Sequence, residues 1–352
     1  MPEEGHTAGR SVSRRRFITV GVASGGALLL GGAASAASGA FASNRQAHTA
    51  RLNYHNQVGV VDDKILYTLA AYDLALQKGY FAKRGLYLKT VTSASGAELI
   101  REALTDLHFA VTASTDSLVA YASDPASVRI ISGIYDAASL QYIVGPKSPI
   151  RTVADLRGKK IATSTPTALS TYFATLAVKK AGLVPGKDVT IDYIGAPPAC
   201  FAALQHGLVD CAWTLPPFST AAILDKQARL LFAAKQYQPH WFDNCIVGDA
   251  QFIKSHPDVA RAFLAAIGEA TSFIRARPAE AGRQWAHIAS TPVTATVKAF
   301  SENRANFSLS FSRQFLEAAA SADAVTGTAK KIPDLPGIAD PSYLPAGYRY
   351  IG

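Results

Sequence analysis

Cysteine is scarce in this chain, with three among 352 residues, and there is a single methionine. Cys200, Cys211 and Cys245 show no metal-ligand spacing, and an odd count leaves at least one thiol outside any disulfide. The first reading is buried structural thiols; a Cys200–Cys211 bridge and a nucleophilic cysteine stay open as alternatives. Basic residues exceed acidic ones, for a net charge of +9, yet no Lys/Arg block interleaved with aromatics appears, which argues against a nucleic-acid groove. Apolar runs beyond residue 43 are broken by charge, glycine or proline well short of twenty residues, so no membrane span is expected in the body. The patterns HExxH, GxSxG and GxxxxGK[ST] are absent, which removes the usual support for zinc-protease, α/β-hydrolase and nucleotide-hydrolysing readings. No cofactor motif is found, and neither a cofactor nor a metal is expected.

What is present begins with Ser13-Arg14-Arg15-Arg16-Phe17-Ile18, followed by a mildly apolar Gly/Ala-rich stretch. Small-x-small cleavage options stand at Ala34-Ser35-Ala36 and Ala40-Phe41-Ala42. This reads as a twin-arginine export signal over residues 1–42, cleaved to release a periplasmic protein. No cysteine lies near the cleavage region, which argues against a lipid anchor.

From residue 50 the chain alternates short strands with helices. Strands are expected at Leu52–Gln57, Tyr87–Thr92, Phe109–Thr112, across Ile130–Gly145, and at Val189–Tyr193 and Val209–Trp213. Helices are expected over Ile65–Lys78, ended by Gly79, and from a Ser95-Gly96-Ala97-Glu98 capping box through Leu104. Two more are expected over a segment opened by Ser164-Thr165-Pro166-Thr167 and ended by Gly182, with proline in its first turn, and over Pro198–His206. Past Phe252 the pattern turns helical, with Val259, Phe263, Ile267 and Ile274 on one stripe and further helices from Ala279 and Phe311. The order βαβα predicts α/β layers, a mixed sheet covered by helices. A helix-turn-strand unit at Ala103–Thr112 is echoed at Ala203–Trp213, as two similar lobes would produce; any α/β protein also contains such units.

Three segments in colinear order strengthen the first of those readings. They are Ala75-Leu76-Gln77-Lys78-Gly79-Tyr80-Phe81-Ala82-Lys83-Arg84-Gly85-Leu86, then Ser148-Pro149-Ile150 with Asp155-Leu156-Arg157-Gly158-Lys159-Lys160-Ile161-Ala162, then Gly207-Leu208-Val209-Asp210. Together they resemble the ABC-transporter solute-binding proteins of the sulfonate/taurine/nitrate type, a superfamily that also holds binders of thiamine pyrimidine precursors. The resemblance implies a type II periplasmic-binding-protein fold, two α/β lobes with a hinge and a ligand cleft between them. It implies lobe 1 over 50–146, lobe 2 over 147–245, and a return segment with C-terminal helices over 246–352, with crossings near Gly145–Pro149 and Asn244–Gly248. It further implies a small-molecule ligand, closure by hinge motion, a membrane permease of an ABC importer as partner, and a monomer.

In open α/β sheets ligands sit beyond the carboxyl ends of strands, where helix N-termini present free amides. That places candidate ligand contacts at Ser95, at Thr165 and Thr167 with Ser170 and Thr171, and at Trp213 in the loop Trp213-Thr214-Leu215-Pro216-Pro217. Each has a structural alternative: Ser95 as a helix cap, Thr165 and Thr167 as caps or turn formers, Ser170 and Thr171 as packing residues inside the helix, Trp213 as core. Tyr135, with Asp136, breaks an apolar run and is either a cleft contact or an edge turn; Gln57, Tyr67, Ser114 and Asp243 are candidates by position at strand ends or crossings. No Arg or Lys sits in these loops, so an anion would rest on helix ends and hydroxyls, whereas Asp136 or Asp243 in the cleft would favour a ligand with a donor or positive group. A sulfonate-like solute comes first and a heteroaromatic one second. The competing functions are a desulfinase-like hydrolase on the same fold, using a cysteine thiolate, and a ligand sensor.

Overall fold

The computed structural model describes residues 52–61, 66–93, 96–326 and 335–352. The expected signal at 1–42 lies outside them, as does Ser95. Ala50–Gly352 forms one compact unit.

The chain opens with β1 (Tyr54–Val61), α1 (Ala70–Gln77), β2 (Leu86–Ser93), α2 (Gly96–Glu102), β3 (Phe109–Ala113), α3 (Ser114–Ser123) and β4 (Val128–Tyr135). It then builds β5 (Gln141–Val144), β6 (Lys160–Thr163), α4 (Leu169–Lys180), β7 (Thr190–Tyr193), α5 (Pro197–Gln205), β8 (Cys211–Thr214), α6 (Phe218–Leu224) and β9 (Arg229–Ala233). The return comprises β10 (Asn244–Asp249), α7 (Ala250–Ser255), α8 (Pro257–Ala276), α9 (Pro278–Ala289), α10 (Val293–Asn303), β11 (Phe311–Ser312), α11 (Arg313–Thr326) and β12 (Tyr350–Ile351).

Two five-stranded sheets result, in the orders β2-β1-β3-β10-β4 and β7-β6-β8-β5-β9. In the first, β1 runs parallel to β2 and β3, and β10 is antiparallel to β3 and β4. In the second, β6 runs parallel to β7 and β8, and β5 is antiparallel to β8 and β9. The echo in the sequence therefore has a topological meaning: β3 and β8, each preceded by the echoed helix and turn, are the central strands of the two sheets.

Each sheet is covered because its strands are apolar on the covered face. Against the first sheet lies α8, whose Val259, Phe263, Ile267 and Ile274 are all buried as the stripe predicts. Phe263 stacks on Phe109 of β3 at 4.5 Å between ring centroids, and burial of such a side chain contributes about 2 kcal/mol. The second sheet carries Phe173 and Val178 of α4, with Tyr142 stacked on Phe232 at 4.2 Å.

Several boundaries differ from the sequence reading. The chain leaves the first sheet at 136–140 and returns at 237–243, both ahead of the expected crossings. Gln141–Val144 is already paired with β8 and β9, and Asn244 with β3 and β4, so hydrogen bonding assigns these strands to the neighbouring sheet. Phe311 opens no helix: it pairs with Tyr350 in a two-stranded ribbon, and α11 starts at Arg313. Helix α4 begins at Leu169, so Pro166 lies in the turn before it and not in its first turn.

Candidate functional site

The strand ends of both sheets meet at one pocket beside the crossings. It is lined by Tyr67 and Tyr135 from the first lobe, Asn303 and Asn306 from the return segment, Ala138 and Ser139 from the first crossing, and Gln141, Pro216, Ala233 and Lys235 from the second lobe. Tyr67 stands at the start of the short helical turn that follows β1, and Tyr135 ends β4. Their hydroxyl oxygens are 2.5 Å apart, and the Asn306 side-chain amide donates to Tyr135 at 3.2 Å. Burial raises both phenol pKa values, most of all through loss of hydration of the phenolate, so both hydroxyls stay protonated.

The crossings are tied together by Asp243. Its backbone amide donates to the Tyr135 carbonyl at 3.1 Å, and its carboxylate accepts from the Ser139 amide at 2.9 Å and from Trp241 Nε1 at 2.8 Å. Burial pushes this carboxyl up to about 6 against those hydrogen bonds. Thr68 beside it donates to the Asn244 side chain at 2.7 Å. Asp243 is thus a latch between the two hinge segments, with both oxygens engaged.

The remaining predicted residues separate by what their polar atoms already do. Ser114 is fully buried and donates to the Phe242 carbonyl at 3.1 Å, which makes it a brace between β3 and the second crossing. Ser170 and Thr171 sit in the first turn of α4 and fold back on the turn before it. Ser170 Oγ accepts from the Ser164 amide at 3.0 Å, and Thr171 Oγ1 lies 2.6 Å from the Thr165 carbonyl oxygen. These bonds hold the 164–168 turn out of the helix and leave Thr165 and Thr167 exposed at the carboxyl end of β6. Trp213 is half-buried, donates from Nε1 to the Gly195 carbonyl at 2.9 Å, and packs against apolar clusters of both lobes. Gln57 is exposed in the middle of β1, away from the strand's carboxyl end, and does not join the others.

The pocket recruits side chains that were not singled out from sequence: Ser139, Gln141, Lys235, Asn303 and Asn306. Lys235 follows β9 directly, a strand-end signal of the same kind that nominated Trp213. The asparagines carry no such signal, because α10 is far along the chain and only packing brings its end to the first crossing. A further carboxyl, Asp116 in the first turn of α3, is pushed up to about 6 by burial and receives one long hydrogen bond from Thr112 at 3.4 Å. A Cβ on Gly96 would meet it at 1.9 Å, so the start of α2 admits only glycine beside that carboxyl. Asp136, the first residue of the crossing, is pushed up to about 7 by burial, opposed by the charge of Arg275.

The three cysteines are free and buried. Burial pushes the Cys200 thiol up to about 11 and Cys245 up to about 12, and raises Cys211 as well. A reactive thiolate requires the opposite shift. Among the described residues no group of three His, Cys, Asp or Glu side chains is arranged to hold a metal ion, and no helix is long and apolar enough to cross a membrane.

Residues 68–281, more than half of the chain, match the model of the NMT1/THI5-like family. Among solved structures, the alkanesulfonate-binding protein SsuA from Xanthomonas axonopodis pv. citri bound to MOPS is similar over 82% of this chain and 99% of that one, with TM-score 0.64 and 18% identity. The periplasmic aliphatic sulphonate binding protein SsuA from Escherichia coli is similar over 80% of this chain and 91% of that one, with TM-score 0.66 and 20% identity. A cysteine-to-serine mutant of DSZB in complex with biphenyl-2-sulfinic acid is similar over 83% of this chain and 98% of that one, with TM-score 0.65 and 14% identity. No curated protein matches the sequence. Identities this low speak to the fold, whose strand orders and double crossing are those of the type II periplasmic binding proteins. By its sequence, the chain belongs to the NMT1/THI5-like family.

Proposed function

We propose that this protein is an extracytoplasmic solute-binding receptor of an ABC importer, which captures a small organic solute between its lobes and delivers it to a membrane permease. The observation that carries the reading is the pocket at which strand ends of both sheets converge beside two crossing segments. A ligand there touches both lobes, so it stabilises the closed arrangement by contacts an open one cannot make. The fold shared with sulfonate-binding proteins supports a sulfonate- or taurine-like solute, and a heteroaromatic solute is the alternative that Asp116 and Asp136 favour. The reading includes a monomer exported by the twin-arginine route to the periplasm, with residues 1–42 removed. It also includes binding without turnover: the buried thiols, pushed away from the thiolate, support capture over cysteine chemistry.

Thermal-shift titration of the purified protein with alkanesulfonates, taurine, nitrate and aminopyrimidines tests it. Saturable stabilisation by one class, with the solute recovered unchanged, is expected. Release of a product that stops on Cys200→Ala substitution would instead establish an enzyme.

A further inference from the structure

The Tyr67–Tyr135 pair has one hydrogen too many for the partners around it. Two hydroxyls carry two hydrogens, and a single one lies between their oxygens. Asn306 approaches Tyr135 as a donor and cannot take the second. Among the described residues no other hydrogen bond reaches either hydroxyl, although both side chains are 1% exposed. A buried donor without an acceptor is costly, and both phenols line the same pocket.

Lys235 is the sole charged side chain in that lining, and it forms no ion pair among the described residues. The carboxylates of Asp243 and Glu302 are near enough to influence Tyr67, but Asp243 has both oxygens engaged by Ser139 and Trp241. The void itself has room for little more than a water-sized group, so it suits the end of a solute and not its body.

We propose that this pocket is a subsite for an acceptor oxygen of the bound solute, in which the Tyr67–Tyr135 pair donates its spare hydrogen and Lys235 from the other lobe selects for negative charge. The inference rests on the receptor reading and sharpens it: the solute enters with an oxyanion or carbonyl end toward the hinge, and that end bridges the lobes. In its absence a water molecule takes the hydrogen.

Bromide, a monoatomic acceptor visible by anomalous diffraction, tests the subsite without knowledge of the solute. Crystals soaked in sodium bromide should show a peak within hydrogen-bonding distance of Tyr67 or Tyr135 Oη in the wild type. That peak should vanish in the Tyr67→Phe/Tyr135→Phe protein and weaken in Lys235→Gln, an exposed substitution that leaves folding intact. A wild-type pocket without bromide, or a peak that persists in the double variant, overturns the proposal. Calorimetric titration with ethanesulfonate should show about tenfold weaker binding for the double variant and for Lys235→Gln, the size of one charge-assisted hydrogen bond. Equal affinity in all three proteins sinks the subsite and leaves the receptor reading intact. A bromide peak in a protein that no organic solute stabilises sinks the receptor reading and leaves the subsite.

Discussion

The two lobes are built on the same strand order yet treat the polar side chains at their carboxyl edges in opposite ways. In the first lobe these groups are engaged internally: Ser114 with the Phe242 carbonyl, Thr112 with Asp116, Tyr67 with Tyr135. In the second lobe Ser170 and Thr171 anchor a turn, and that turn holds Thr165 and Thr167 out in solvent. One lobe thus presents a braced wall and the other a rim of solvent-facing hydroxyls, joined by a hinge whose polar atoms are saturated at Asp243. A shared topology places strand ends, and the neighbours of each strand end decide whether its side chain is structural or available.

The largest test of this contrast lies in the hinge. Asp243→Ala leaves the Ser139 amide and Trp241 indole without their acceptor and should cost about 3 kcal/mol in urea unfolding. A loss as small as that of a surface substitution would mean the crossings are not latched through this carboxylate.

Acidity offers a second test. Burial raises the folded-state pKa of Asp243 to about 6, above the ordinary value near 3.9, so its contribution to stability is fully present below the unfolded value. That contribution is lost as the pH rises through about 6. The melting temperature of the wild type relative to Asp243→Asn should therefore rise between about pH 7 and about pH 5, because the amide does not titrate. Parallel pH profiles for the two proteins would remove the buried carboxylate from the account; Asp116 and Asp136 are present in both and cancel.

The smallest test compares the lobes directly. Ser114→Ala should cost about 1 kcal/mol, while Thr167→Ala should change stability by less than about 0.5 kcal/mol. Thr167→Ala should act on solute affinity instead, read by titration. Equal stability losses at the two sites would erase the distinction between wall and rim.

Much of the fold was legible in the sequence, because alternating β-branched strands and a helical stripe such as Val259, Phe263, Ile267 and Ile274 are local patterns. The misplaced features share a cause. Gln141–Val144 reads as a strand from composition, but its sheet is set by pairing with β8 and β9, distant in sequence. Pro166 reads as a first-turn proline until Ser170 and Thr171 are seen pulling the turn away from the helix. In the site, Tyr67 and Tyr135 were reachable as residues near strand ends, whereas Asn303 and Asn306 carry no local mark.

The sequence by itself determined the class of the molecule: the alternation of elements, the repeated helix-turn-strand unit, and the ordered segments that carry the family. Local propensity and apolar periodicity suffice for these, since each depends on residues within a turn or two of one another. Only the tertiary structure decided which polar atoms remain available. A hydroxyl is committed or free according to the acceptor that long-range packing brings within about 3 Å, and that acceptor is often far away along the chain, as the Phe242 carbonyl is from Ser114.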